Sequence, residues 1–190
     1  MAGKPSAFSF NKQTFRVILI SSFLYGFCCY LTTTIPIEGS SLRPAVVVLT
    51  VFGALYGPVV GFLAGFIGSY VSDLLLMDVW IHWNLGNGLI GLFSGLPYFL
   101  KNFQPYQGRV KGIHYLWIAI WGIVGNYIGC FSAVLIDIVI ESPELDVVGW
   151  ALVPATVNAL WVATLGLLVL RAVAERNAQP QLKDSDIKKD

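Results

Sequence analysis

Two tryptophans, a histidine and two asparagines fall within the eight residues 80–87, WIHWNLGN, and these groups are suited to holding a small molecule. An indole offers a broad flat face, and a carboxamide offers a hydrogen-bond donor and acceptor together. With Asn158 further along, the set predicts a flat ring stacked by Trp80 or Trp83 and hydrogen-bonded by Asn84, Asn87 and Asn158. Arg43 joins them as a candidate partner for a polar or anionic group of such a ligand. Sequence patterns for enzymatic or nucleotide chemistry are missing: no H-E-x-x-H, G-x-S-x-G or G-x-x-x-x-G-K-[ST] occurs, so the chain has no phosphate loop for ATP. Cys28, Cys29 and Cys130 lie in apolar runs without metal-ligand spacing and read as buried thiols. No metal or other cofactor is expected.

The elements that must position these groups belong to a membrane protein. The 190 residues are 56% hydrophobic and 12% charged, with a mean hydropathy of +0.70, whereas soluble domains carry roughly 25% charged residues. A formal net charge of +1 suggests no nucleic-acid partner. Six apolar runs, at about 15–33, 42–56, 59–77, 81–100, 115–140 and 148–173, predict an all-α integral membrane protein of six transmembrane helices in one domain, 1–174. The polar lead is long and no small-x-small cleavage site follows it, so the first run is expected to stay as a helix. The charged tail 175–190 is expected to be a disordered cytoplasmic end.

The second run is short for a span, so it must be tilted, start deeper or be covered by protein. Ser40 or Ser41 is placed to cap it, with Pro44 in its first turn. Gly57-Pro58 turns straight into the third run and makes the two helices neighbours. In that third run Gly57, Gly61 and Gly65 recur every four residues, and Ala64, Gly68 and Ser72 do the same on an adjoining face. Small residues at this spacing let helices approach closely in lipid.

Six spans put both termini on one side. Placing them in the cytoplasm puts eleven of the twelve Lys and Arg inside, with Arg43 alone outside, which is the positive-inside pattern. Asn84, Asn87 and Asn158 then lie in outer halves of their helices, Asn126 lies near mid-helix, and His82, Trp80 and Trp83 crown the fourth helix on the outer side, near Asp73 and Asp137. Intramembrane polar groups usually face a bundle interior or a cavity, so the set describes an outward-facing pocket. Each member also has a plainer reading. Asn126 serves equally as interhelical glue, Trp80 and Trp83 as interfacial anchors, His82 as a rim hydrogen-bonder, and Asp73 as a turn cap or a partner of Arg43. His82 and His114 fall at opposite faces and cannot share a metal. No charged or carbonyl-rich filter motif suggests a channel.

The run FGALYGPVVGFLAGFIGSYVSDLL, followed by WIHWNLGNGLIGLFSGLPYFL, resembles the substrate-binding S-component of an energy-coupling factor (ECF) vitamin transporter, of the riboflavin-type group. The resemblance implies a non-enzymatic transport subunit in a prokaryotic plasma membrane. It would capture a vitamin-like small molecule, riboflavin first, from outside. Its partners would be a membrane coupling subunit and two cytoplasmic ATPases. The loops around 38–43, 78–87 and 141–150 would contribute to the site. Family members dock on the coupling subunit through an Ala-x-x-x-Ala face of the first helix, where this chain has Ser22 and Gly26. The row Ala151, Ala155, Ala159 and Ala163 reads as packing against the glycine face of the third helix. A non-transporting membrane scaffold, its small-residue faces offered to partner helices, is the alternative.

Overall fold

The computed structural model describes residues 10–32, 36–37, 40–41, 43–140 and 146–187, with the backbone alone at 36–37, 40–41, 106 and 179–187. Residues 38–39, 42 and 141–145 of the expected recognition loops, Glu38, Glu141 and Glu144 among them, lie outside the described residues. Among the described residues there are six helices: α1 (Lys12–Thr32), α2 (Val46–Tyr56), α3 (Pro58–Leu76), α4 (Ile81–Gly95), α5 (Gly112–Ile140) and α6, which starts at Val148 and continues to Ile187. A two-residue antiparallel hairpin, Pro36–Ile37 with Ser40–Ser41, joins α1 to α2.

Four of these helices are long and apolar enough to cross a membrane: Lys12–Thr32, Pro58–Leu76, Gly112–Ile140 and Val148–Ala178. Two of the six expected spans fall short. α2 has 11 residues and α4 has 15, the latter extended by a 3-10 turn at Leu96–Phe99. At 1.5 Å per residue α2 covers about half of a ~30 Å hydrocarbon core. It tolerates this because protein covers it: Val46, Leu49, Thr50 and Ala54 are buried, and α1, α3, α4 and α6 surround it. Its first turn also differs from expectation. Ser40 and Ser41 are in the hairpin, and the helix starts after Ala45 without a side-chain cap.

α3 stands at the centre, with α1 on one side and α4 on the other, and α5 packs on the far side of α4. The two small-residue faces explain this order. A Cβ on Gly61 would run into the Gly91 carbonyl, and one on Gly65 into the Asn87 carbonyl, so this face is in backbone contact with α4. On the adjoining face Gly68 lies against Ser22 and Gly26 of α1. The turn that sets α3 beside α2 uses Gly57 at φ 98°, open to glycine, and Pro58 in the first helical turn.

Two expectations about small residues are corrected here. Ser22 and Gly26 are not a free docking face for a coupling subunit: both are buried, Ser22 Oγ donates to the Leu63 carbonyl at 3.4 Å, and a Cβ on Gly26 would strike Gly68. The outward face of α1 carries Phe15, Leu19, Phe23 and Phe27 instead. The alanine row of α6 packs chiefly on α5 and α2 rather than on α3. Ala151 and Ala155 are buried, but a π-helical turn at Val162–Gly166 rotates the helix and leaves Ala163 exposed. An earlier π turn, Val148–Leu152, ends two residues before Pro154, which has no N–H to give the helix ladder.

At the end of the bundle away from α4's tryptophans, Asn177 Nδ2 of α6 donates to the Pro105 carbonyl at 3.2 Å, and Gly108, at φ 64°, lies against Ala178. The helix continues past this contact to Ile187, through residues where the charge pattern led to an expected disordered tail. Glu175, Arg176, Ala178, Gln179, Gln181 and Lys183 favour the continuation, against Pro180, which has no N–H to give the helix ladder. His114 belongs to this end as well: its Nδ1 accepts the Lys111 N–H at 3.1 Å and its Nε2 lies 3.2 Å from the Lys101 carbonyl. About 35 Å of helix separates it from Asp137 on α5.

Candidate functional site

At the opposite end, the last turn of α3, the first turns of α4, the second half of α5 and the start of α6 enclose a cavity of about 320 Å³. Ligand pockets run from about 300 to 1,000 Å³, so this one suits a compact ring system. The chain reaches it through a turn that Asp73 organises. Met77 ends α3 in the left-handed region at φ 61°, and Asp73 Oδ2 accepts the Trp80 N–H across the turn at 3.1 Å. Gly86 and Gly129 then let α4 and α5 close on each other, since a Cβ on Gly86 would meet the Gly129 carbonyl at 2.7 Å.

The cavity is walled by aromatic rings. Trp80, Trp83 and Trp150 all line it, with the Trp83 and Trp150 ring centres 6.4 Å apart and tilted by 56°. A buried carboxylate that also lines the cavity holds Trp83: the indole Nε1 donates to Asp137 Oδ2 at 2.9 Å. His82 Nε2 stands 2.7 Å from the other oxygen, Asp137 Oδ1. Asp137 thereby fixes the plane of a wall residue. Asp137→Ala is expected to leave the part-buried Trp83 N–H unmatched. The expected cost is about 1–3 kcal/mol in thermal unfolding, together with a shift in tryptophan emission. Asp137→Asn, which keeps an acceptor oxygen, should recover most of the emission signature; identical spectra for all three proteins would exclude this positioning.

Asn87 sits where three helices meet. Its Oδ1 accepts the Tyr25 hydroxyl of α1 at 2.6 Å, and its Nδ2 donates to Ser69 Oγ of α3 at 3.0 Å and to the Trp83 carbonyl at 2.9 Å. Both amide protons are therefore engaged inside the protein. Asn84 is fully buried beside the Asp73 carboxylate, and neither of its amide atoms meets hydrogen-bond geometry. Asn126 is also fully buried at mid-helix, donating to the Gly122 carbonyl at 2.8 Å.

Of the residues expected at a site, the structure brings Arg43, Trp80, Trp83, Asn87 and Asn158 to the cavity lining, whereas His82, Asn84 and Asn126 are not among the lining residues. Sequence reasoning did not single out Trp150, Ser69 or Cys130 as site residues, and it gave Asp73, Asp78 and Asp137 only positions near the rim. For Trp150 the signal was available, an aromatic residue closing a loop on the same side as Trp80. Nothing in the sequence marks Ser69 or Cys130 apart from other small residues in apolar helices. The lining contains three carboxylates, Asp73, Asp78 and Asp137, and among its described residues Arg43 is the one Lys or Arg.

An all-helical bundle with four membrane-length apolar helices and a polar, aromatic-walled cavity at one end defines a multi-pass membrane protein with a ligand-sized chamber. Residues 12–175 match the family described as ECF-type riboflavin transporter, S component, and the chain belongs to that family. It is thus a transport subunit of the ECF class rather than an enzyme, a class that works in the membrane with an ECF module. Similar proteins include UPF0397 protein VS_II0189 of Vibrio atlanticus (strain LGP32), 35% identical over 175 residues that cover 90% of this chain and 96% of the relative. UPF0397 protein VSAL_I1988 of Aliivibrio salmonicida (strain LFI1238) is 33% identical, covering 89% of this chain and 94% of its own length. A UPF0397 protein of Photobacterium profundum is 34% identical, with coverages of 93% and 98%. No solved structure matches the chain.

Proposed function

We propose that this chain captures a vitamin or related ring compound from outside the cell at the cavity between α3, α4, α5 and α6, and passes it inward with a separate ATP-driven coupling module. The observation that carries the reading is the cavity itself: three tryptophan faces, the Asn158 carboxamide and several carboxylates converge on a space of about 320 Å³. Riboflavin is the leading ligand, because the matching family is described by it and a flat tricyclic ring suits the indole walls. The charge distribution supports an outward-facing cavity, since it favours both termini in the cytoplasm.

The scaffold alternative draws no support from the packing. The glycine faces that a scaffold would offer to partner helices are occupied by α4 and α1 of the same chain. Purified protein, without ATP or other subunits, is expected to bind one member of a panel of riboflavin, pyridoxine, thiamine, biotin, folate and cobalamin, read by quenching of its tryptophan emission. Trp83→Ala should weaken that binding at least about tenfold, as loss of an aromatic anchor commonly does. A folded sample that binds none of the panel would remove the vitamin reading.

A further inference from the structure

The end of the bundle opposite the cavity carries a basic loop whose shape is fixed from within. We propose that the α4–α5 connection, through Lys101, Arg109 and Lys111, is a docking surface for the headgroups of anionic phospholipids. This does not depend on what the cavity holds. His114 gathers the two lysines, which lie ten positions apart in the chain. Its Nδ1 accepts the Lys111 N–H at 3.1 Å and its Nε2 stands 3.2 Å from the Lys101 carbonyl, so one imidazole ring spans both backbones. Arg109 is held in the same fold of chain: its N–H donates to the Gln104 carbonyl at 3.0 Å, and the Gln104 N–H donates back at 3.1 Å. Beneath them Phe103 and Pro105 are fully buried, with the Phe103 ring edge-on to His114. Asn177 and Ala178 of α6 clamp the other side.

The three cations are exposed, and among the described residues none of them is in an ion pair. Residues 96–118 contain no Asp or Glu. Glu175, on α6 close to the clamp, is bonded to Arg171 Nε at 2.6 Å. The first turn of α5 follows the loop without an acidic residue, and its backbone is open at Gly112, where nothing lies within 4 Å of an added Cβ. Three gathered cations beside an open helix start suit a phosphodiester. What borders the patch identifies the source of that phosphate. Phe99 before Lys101, and Ile113 and Leu116 after Lys111, are exposed apolar side chains, and α5 is long and apolar enough to cross a membrane. The cations therefore sit where hydrocarbon gives way to headgroups. At that level each Lys or Arg strengthens attraction to an anionic leaflet about fivefold.

The test offers the full chain equal amounts of dioleoylphosphatidylglycerol and dioleoylphosphatidylcholine in mixed micelles, and native mass spectrometry counts the lipids retained. Phosphatidylglycerol should be retained at least about tenfold over phosphatidylcholine. A variant with Lys101→Gln, Arg109→Gln and Lys111→Gln should lose that preference. A second variant, with Lys12→Gln, Arg16→Gln and Arg176→Gln, removes the same charge from other exposed positions and should keep most of it. His114→Phe keeps a ring against Phe103 but removes both nitrogens, so a folded His114→Phe protein should lose several-fold with every cation in place. Equal retention of the two lipids by the wild type would overturn the proposal and leave the cations to an acidic protein partner. The same loss from both triple variants would overturn it too, because the attraction would then be diffuse. All six substituted positions are exposed, so the comparison of the two triple variants stands even if His114→Phe fails to fold.

Discussion

Gly65→Leu should yield no monodisperse folded protein after membrane extraction. Ordinary overpacking of a core costs about 1–3 kcal/mol, because neighbouring side chains can shift. Here the obstacle is backbone. A Cβ on Gly65 would already strike the Asn87 carbonyl, and the α3–α4 contact is of this kind along its length, with Gly61 against Gly91 and Gly95 against Pro58. Separating the helices enough for a leucine would pull α4 away from α3 at Ser69 and Asn87, and so open the cavity wall. Gly112→Ala is the matched control, since nothing lies within 4 Å of the added methyl. Size-exclusion profiles and thermal melts of the two variants decide the matter. A Gly65→Leu protein that melts close to the wild type would show that the α3–α4 contact is not as described.

The glycine row shows what could be read in advance and what could not. Period-four spacing of small residues told that α3 has two close-packing faces, and both exist. The same spacing in Ser22 and Gly26 looked like a surface for another subunit, yet it is spent on Gly68 and Leu63. Spacing reports that a backbone must come close. It does not report whose backbone it is.

Alanines 151 to 163 mislead for a related reason: a π turn resets the phase of a helix, and no residue between 162 and 166 announces it. The span count suffered from length. The runs at 42–56 and 81–100 do fold as helices, but α2 and α4 have only 11 and 15 residues, a length set by the helices that cover them and not readable from hydropathy. At the site, Trp80 and Trp83 were legible as aromatic groups, but whether an indole faces lipid or a cavity depends on neighbours such as Asp137, 54 positions away in the chain. Asn84 and Asn126 have the residue type and depth for a site, but both are fully buried and lie outside the lining.

Asn87 carries the second large expected effect, and its bonding changes what its removal should do. From type and depth alone Asn87→Ala would weaken a ligand contact and leave the fold intact. In the structure the amide joins α1, α3 and α4, so truncation strands the Tyr25 hydroxyl and Ser69 Oγ in a buried place. Leaving buried polar groups unmatched costs about 1–3 kcal/mol in water-soluble proteins, and interhelical bonds in lipid average about 0.6 with a maximum near 1.7 kcal/mol. Asn87→Ala should therefore destabilise by about 1–2 kcal/mol.

Tyr25→Phe keeps the ring in the core and removes only the donor. In a double-mutant cycle the two changes should couple by about 1 kcal/mol, the pair costing less than the sum. Ligand binding separates the two roles. If Asn87 acts by holding three helices in register, Tyr25→Phe and Asn87→Ala weaken binding together. If it instead contacts the ligand through Oδ1, Tyr25→Phe frees that oxygen and binding holds or improves, while Asn87→Ala abolishes it. The engaged amide protons favour the first outcome, and an additive cycle with unchanged affinity in Tyr25→Phe would exclude it.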